Sequence, residues 1–204
     1  MSFYERQVLP RVIDLLLGNE KMQQVRAPSL RGLSGTVVEL GFGSGPNVPL
    51  YPAEVDRVLA VDPSEVAVKL ATKRLSASSV PIELIGLDSS RLPLDDNSAD
   101  CVLSTWTLCT IPDVETALEE SRRVLKPGGR LFFLEHGLSD DADLAQRQKR
   151  FNPIQMKIAG GCQLTRDIGA LVRDAGFEMD RYKTFQIAGP KVMSFMYSGV
   201  ATTS

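Results

Sequence analysis

An acidic residue, one spacer and three glycines at alternate positions, Glu39, Gly41, Gly43 and Gly45, close an apolar run and begin the part of the chain best suited to chemistry. Glycines after a strand let backbone N–H groups come close to a ligand. The dinucleotide pattern G-x-G-x-x-G needs a further glycine where this chain has Pro46, which argues against a nicotinamide cofactor. Asp62, with Pro63 behind it, ends the next apolar run, where a carboxylate accepts ribose hydroxyls; it suits equally well a cap for a helix from Ser64. Asp88, followed by Ser89, ends a third run and reads otherwise as a surface turn. His136 is the single histidine, and an ordinary pKa of roughly 6.5 lets imidazole take a proton near neutral pH; shaping a strand end is its plainer reading. Cys101, Cys109 and Cys162 form no C-x-x-C pair, so with one histidine they are not expected to build a metal site.

The element pattern says how these residues could meet. Short β-rich stretches, apolar on both parities, at 36–40, 58–61, 82–87, 101–104 and 130–135 predict strands buried on both faces of a parallel sheet. Helical patterns at 64–76 and 114–125 alternate with them, the second capped by Asp113 and stopped by Lys126-Pro127-Gly128-Gly129. That alternation predicts an α/β fold with a doubly wound, mostly parallel sheet. Helices over 142–158 and 165–175 and strands over 177–185 and 191–199 complete seven strands, the last two forming an antiparallel hairpin on the sheet edge around Ala188-Gly189-Pro190. An amphipathic helix over 3–22 is expected to pack on the domain rather than lie on a membrane, because Glu5, Arg6, Arg11 and Asp14 mix signs on its polar side. The 204 residues suit a single domain: a helical cap over 1–31, a cofactor-binding core over 32–137, and substrate-side helices with the closing hairpin over 138–204. A net charge of -2 offers no basic stripe for nucleic acid, and no apolar run is long enough to span a bilayer. The unpaired cysteines fit a reducing compartment, with the cytoplasm the default and peripheral membrane contact the alternative.

Two further stretches, Asp96-Asn97-Ser98-Ala99-Asp100-Cys101-Val102-Leu103-Ser104 and Arg123-Val124-Leu125-Lys126-Pro127-Gly128-Gly129, extend the pattern begun by the glycine loop, Asp62 and Asp88. From residue 36 to 137 the chain resembles the class I S-adenosylmethionine-dependent methyltransferases, in particular the group that includes ubiquinone and menaquinone C-methyltransferases. The resemblance implies a Rossmann-like fold binding S-adenosylmethionine, with S-adenosylhomocysteine as product and no metal. It assigns cofactor binding to Glu39, Gly41, Phe42, Gly43, Gly45, Asn47, Asp62, Pro63, Asp88, Ser89, Ser104 and Trp106, with Glu39 near the methionine ammonium.

A narrower resemblance, carried by Leu108-Cys109, Glu135-His136 and Gly161-Cys162-Gln163-Leu164-Thr165-Arg166, is to methyltransferase-like enzymes that methylate alkyl thiols. It implies a small, fairly apolar acceptor, a thiol ahead of a quinone-type carbon or a phospholipid amine. Thr107, Cys109, Cys162 and Arg166 would line its pocket and His136 would act as general base. A non-catalytic S-adenosylmethionine-binding module is the rival class.

Overall fold

The computed structural model describes residues 3–86 and 88–203, so Leu87, the last residue of the expected third strand, lies outside the described residues. A π-helical turn, Tyr4–Val8, leads into α1 (Leu9–Leu17) and α2 (Glu20–Arg26), followed by β1 (Gly35–Leu40), β2 (Val55–Val61), α3 (Glu65–Ser76), β3 (Ile82–Gly86) and β4 (Ala99–Thr105). Then come α4 (Val114–Val124), β5 (Leu125–His136), α5 (Ala142–Ile158), α6 (Ile168–Asp174), β6 (Phe177–Gln186) and β7 (Phe195–Thr203). They form one seven-stranded sheet in the order β3-β2-β1-β4-β5-β7-β6. β1 to β5 run parallel, and β7 is antiparallel to both β5 and β6. The expected architecture, hairpin included, is the one observed.

Why the central strands read as unbroken apolar runs is visible in the core. Val38, Leu40, Leu59, Val61, Val102 and Phe133 face one helical layer. Val37, Val58, Ala60, Cys101, Leu103 and Phe132 face the other. Side chains alternate across a pleat, so a strand covered on both faces must be apolar at both parities. The strand order reverses between β1 and β4, and the crevice at that switch point opens beside their carboxyl ends.

Several boundaries differ from expectation; β2 and β4, for instance, begin at Val55 and Ala99 rather than at 58 and 101. The N-terminal helix is not continuous over 3–22: it breaks at Gly18 and Asn19, where the Asn19 side chain accepts the Met22 N–H at 3.2 Å and caps α2. α4 ends at Val124, one residue early, and strand pairing already starts at Leu125. Residues 126–129 bulge out between the pairs Ala99↔Leu125 and Cys101↔Arg130, because Lys126 before Pro127 is pushed to extended backbone. α6 starts at Ile168 rather than 165, since the Asp167 carboxylate caps it at 2.9 Å from Ala170 N. The final strand occupies Phe195–Thr203, not 191–199, because Pro190 opens a single 3-10 turn, Lys191–Met193, that Ser194 closes by donating to the Pro190 carbonyl.

α1 sits over the glycine loop on its polar side. Asp14 accepts from Ser44 Oγ at 2.6 Å and from Arg74 at 2.7 Å, and Arg74 also reaches the Ser44 carbonyl at 2.9 Å. About a quarter of each charged side chain remains exposed, so this latch is worth under about 1 kcal/mol and holds the cap without locking it. Of the apolar face expected to pack inward, Leu9 is buried, but Val8, Val12, Ile13 and Leu16 look outward, Leu16 at 60% exposed, with Leu15 beside them at 76%.

Candidate active site

The loop after β1 turns through left-handed backbone at Gly41 and Gly43. A Cβ on Gly41 would lie 2.1 Å from Thr107 Oγ1, so the loop and the segment after β4 touch with no room for a side chain. At Gly43 the nearest atom to such a Cβ is 3.9 Å away, which leaves that side of the loop open to a ligand. Phe42 places its ring in the core, so only its backbone can serve a ligand. Asp62, at the end of β2, fastens the loop: its carboxylate accepts Gly43 N and Ser64 N, each at 2.7 Å. Burial raises its pKa, and the two N–H donors partly offset this. Ser64, not Asp62, caps α3. Pro63 is exposed, as is Asp88, whose side chain closes a turn onto Ser90 N at 2.8 Å, with Ser89 half-buried beside it.

Below the loop lies a buried pair of opposite charges that the sequence reading did not anticipate. Glu39 is fully buried and accepts from Asn47 Nδ2 at 3.0 Å and from the Tyr51 hydroxyl. Desolvation pushes its pKa up to about 7 against the pull of those hydrogen bonds and of Arg26. Arg26, the last residue of α2, is buried as well; its guanidinium donates to Thr105 Oγ1 at 2.8 Å and Asn47 Oδ1 at 3.2 Å and lies 4.3 Å above the Trp106 ring. Asn47 therefore bridges the acid and the base. Burial lowers the Arg26 pKa to about 10, which leaves it cationic at neutral pH. Its Nε has no hydrogen-bond partner among the described residues. A buried, unpaired donor costs free energy unless something fills it.

The segment after β4 is held by a second buried acid. Glu135 accepts from Ser104 Oγ at 2.7 Å, Thr107 N at 3.0 Å and Cys109 N at 3.2 Å. Ser104 thus spends its hydroxyl on Glu135. Trp106 adopts φ of 53°, rare for a bulky side chain and typical of strained functional turns. Its indole N–H donates to His136 Nε2 at 3.2 Å. Indole is only a donor, so neutral His136 carries its proton on Nδ1, which faces Cys162 Sγ at 3.7 Å. With both ring nitrogens committed, His136 has no lone pair free for an acceptor's proton in this arrangement. Arg166 donates to the carbonyls of Leu108 and Pro112, pinning the same segment from the far side.

Cys109 and Cys162, distant in sequence, meet with sulfurs 3.6 Å apart, and His136 joins them. The expectation that histidine and scattered cysteines cannot form a cluster is corrected here: β4, β5 and the turn before α6 bring all three together, while Cys101 stays in the core. Leu164, Phe151, Ala159 and Met193 surround the two thiols with apolar surface. Arg26, Tyr51 and Glu135 are the residues that sequence reasoning missed or left without a role. For Glu135 a signal existed, a carboxylate at the end of the apolar run Leu131 to Leu134; for Arg26 none did.

Residues 38–133 match the methyltransferase domain family. Thiol S-methyltransferase TMT1B from Homo sapiens is 36% identical over 154 residues, and the Rattus norvegicus protein is 34% identical over the same length. Each match covers 72% of this chain and 63% of the relative, so the chain spans under two thirds of those proteins' length. The crystal structure of an S-adenosylmethionine-dependent methyltransferase from Thermotoga maritima superposes with a TM-score of 0.68 at 25% identity, covering 98% of both chains. The glycine loop with its flanking acids, the strand order and these similarities lead to one conclusion: the chain belongs to the class I S-adenosylmethionine-dependent methyltransferases.

Proposed function

We propose that this protein transfers the methyl group of S-adenosylmethionine to a small, apolar thiol. The observation that carries the reading is the buried pair Arg26 and Glu39 bridged by Asn47. An amino acid presents a carboxylate and an ammonium a few ångströms apart, and a cation with an unfilled N–H beside an anion complements both. Arg26 would take the carboxylate of the methionine moiety and Glu39 its ammonium, while the open side of Gly43 and the exposed Asp88 would face the nucleoside. Asp62 would hold the loop and accept from the ribose. The bound cofactor supplies a methyl group already activated by its sulfonium, so the protein's part is alignment and exclusion of water. Trp106, Thr107 and the apolar wall around Cys109 and Cys162 would do both. That apolar lining and the names of the curated relatives favour a thiol over a quinone carbon or a lipid amine.

Calorimetry with S-adenosylmethionine, S-adenosylhomocysteine and NAD, followed by labelled methyl transfer to thiols, phenols, quinols and lipid amines, tests this. Binding of NAD alone would overturn it, and binding without transfer to any acceptor would leave a non-catalytic binding module.

Glu39 gives the cofactor affinity a pH dependence. Its pKa near 7 means that below neutrality the acid is protonated and must lose its proton to meet an ammonium. Affinity therefore rises with pH, by about tenfold between pH 5.5 and 7.0, above which the ligand's own amine begins to titrate. Glu39→Gln is expected to bind more weakly and to flatten that slope in calorimetry.

Location follows the same reading. The three cysteines are buried and free, which fits the cytoplasm. Among the described residues no helix is long and apolar enough to cross a membrane. The outward Leu15 and Leu16 suit peripheral contact with a lipid surface. Co-sedimentation with phosphatidylcholine–phosphatidylglycerol vesicles should be lost in the Leu15→Glu, Leu16→Glu double variant; a wild type that never sediments removes this contact.

A further inference from the structure

We propose that Cys109, Cys162 and His136 form a tripod for a soft divalent cation, zinc above all, whose fourth position takes the sulfur of the acceptor. The inference rests on the thiol reading for the role of that fourth position, and on geometry for the site itself. With zinc–sulfur bonds near 2.3 Å and zinc–nitrogen bonds near 2.0 Å, a tetrahedral ion sets two thiolates about 3.8 Å apart and a thiolate about 3.5 Å from an imidazole nitrogen. The structure holds the two sulfurs at 3.6 Å and Cys162 Sγ to His136 Nδ1 at 3.7 Å, with all three ligand atoms within 4.8 Å of one another. Three protein ligands of the Cys2His kind with one vertex open are the pattern of catalytic rather than structural zinc.

A second observation points the same way. Gln155 on α5 is buried beside the Cys162 thiol, the position from which an outer-shell side chain steadies a metal-bound thiolate. Its Oε1 has no partner among the described residues, an unfilled acceptor beside the thiols in an otherwise apolar wall. His136 is half-buried while both cysteines are buried, so the cluster reaches the surface on the histidine side. Metal binding through Nδ1 moves the ring proton to Nε2, where it meets the Trp106 indole N–H donor. One neutral hydrogen bond cannot hold against a metal–nitrogen bond, so the indole turns away, and this is a built-in reporter.

The chemistry balances without any other reactant. Each cysteine releases its thiol proton to solvent as the ion binds, and the acceptor thiol releases its own on taking the fourth position. The lone pair on that sulfur forms the new bond to the methyl carbon, and the bond from the sulfonium sulfur to the same carbon breaks. S-adenosylhomocysteine and a neutral thioether leave, the latter a poor ligand. The ion thereby does the deprotonation for which His136 has no free lone pair.

Reduced full-length protein, stripped with a chelator and titrated with Co²⁺ and then Zn²⁺ in the absence of cofactor and acceptor, is expected to bind one ion per chain. Thiolate-to-cobalt charge-transfer absorption and a change in emission from Trp106, the single tryptophan, should accompany it. Cys109→Ser, Cys162→Ser and His136→Gln should each weaken binding at least tenfold. Cys101→Ser, in the core away from the cluster, should leave it unchanged. If a variant fails to fold, X-ray absorption on the zinc-loaded wild type decides the matter, with two sulfurs and one nitrogen from protein expected around the ion. No uptake, a shell lacking the two sulfurs, or a Cys109–Cys162 disulfide forming in place of uptake overturns the site. Thiol methylation that survives chelation overturns the ion's part in the transfer while leaving methyl transfer intact. Zinc bound as expected with no thiol methylated overturns the acceptor reading and leaves the site standing.

Discussion

An Arg26→Met variant is expected to bind S-adenosylmethionine about 30- to 100-fold more weakly than the wild type. Hydrogen bonds from a guanidinium to a carboxylate in a buried site are each worth roughly 1.5–3 kcal/mol, and the unfilled Nε beside the bonded terminal nitrogens offers a fork of two donors. The ligand-free fold should lose stability as well, because removing one partner of the buried pair leaves Glu39 facing no cation and Asn47 Oδ1 without its donor. Desolvation is the largest of the influences that lower the Arg26 pKa to about 10, and methionine, which fills a similar volume without that cost, limits the loss. The two effects separate in a thermal shift assay: a lowered melting temperature without ligand, and in addition a much smaller rise on adding cofactor. Arg26→Lys should recover only part of the affinity, since an ammonium cannot reproduce the fork. A variant whose ligand-free melting temperature falls while its affinity holds would show that Arg26 merely braces α2 against Trp106.

How far the sequence reached depended on whether a feature is local. β1 and its glycine loop were legible because Val37 and Val38 fill opposite faces of the sheet, which forces an apolar run, and because the turn after it admits only glycine at Gly41. Asp62 was legible as a strand-end acid, but not that its carboxylate fastens the glycine loop through Gly43 N. The cysteine cluster was not legible, because Cys109 and Cys162 lie 53 residues apart and metal-site motifs are recognised by short spacings. Parallel crossover connections bring the ends of successive strands to one edge whatever lies between them, and this produces the meeting. Arg26 was not legible for a different reason. A cation in a short helix defaults to solvent, and its burial follows from the break at Gly18 and Asn19, which turns α2 back toward the Trp106 ring.

The largest stability effect is expected at Glu135. Its carboxylate is completely buried and accepts from one hydroxyl and from the backbone of the 107–109 turn, so it is the interior fastening of the segment carrying Trp106, Thr107 and Cys109. Burial raises its pKa and these donors pull it back, the signature of an acid kept for what it holds rather than for a charge partner. Glu135→Leu would leave Ser104 Oγ and two backbone N–H groups buried without acceptors. At roughly 1–3 kcal/mol for each orphaned group, and without full additivity, the loss should be about 3–5 kcal/mol, or on the order of 10 °C in melting temperature for a chain of this size. Glu135→Gln should fall between, because the amide oxygen still accepts while its NH2 faces donors. Since the turn also sets the distance between Cys109 and Cys162, cobalt uptake should fall in both variants before the protein melts. Fold stability unchanged in Glu135→Leu would mean that the turn holds its shape from Gly41 and Arg166 alone, through the steric contact at Thr107 and the bonds to the Leu108 and Pro112 carbonyls.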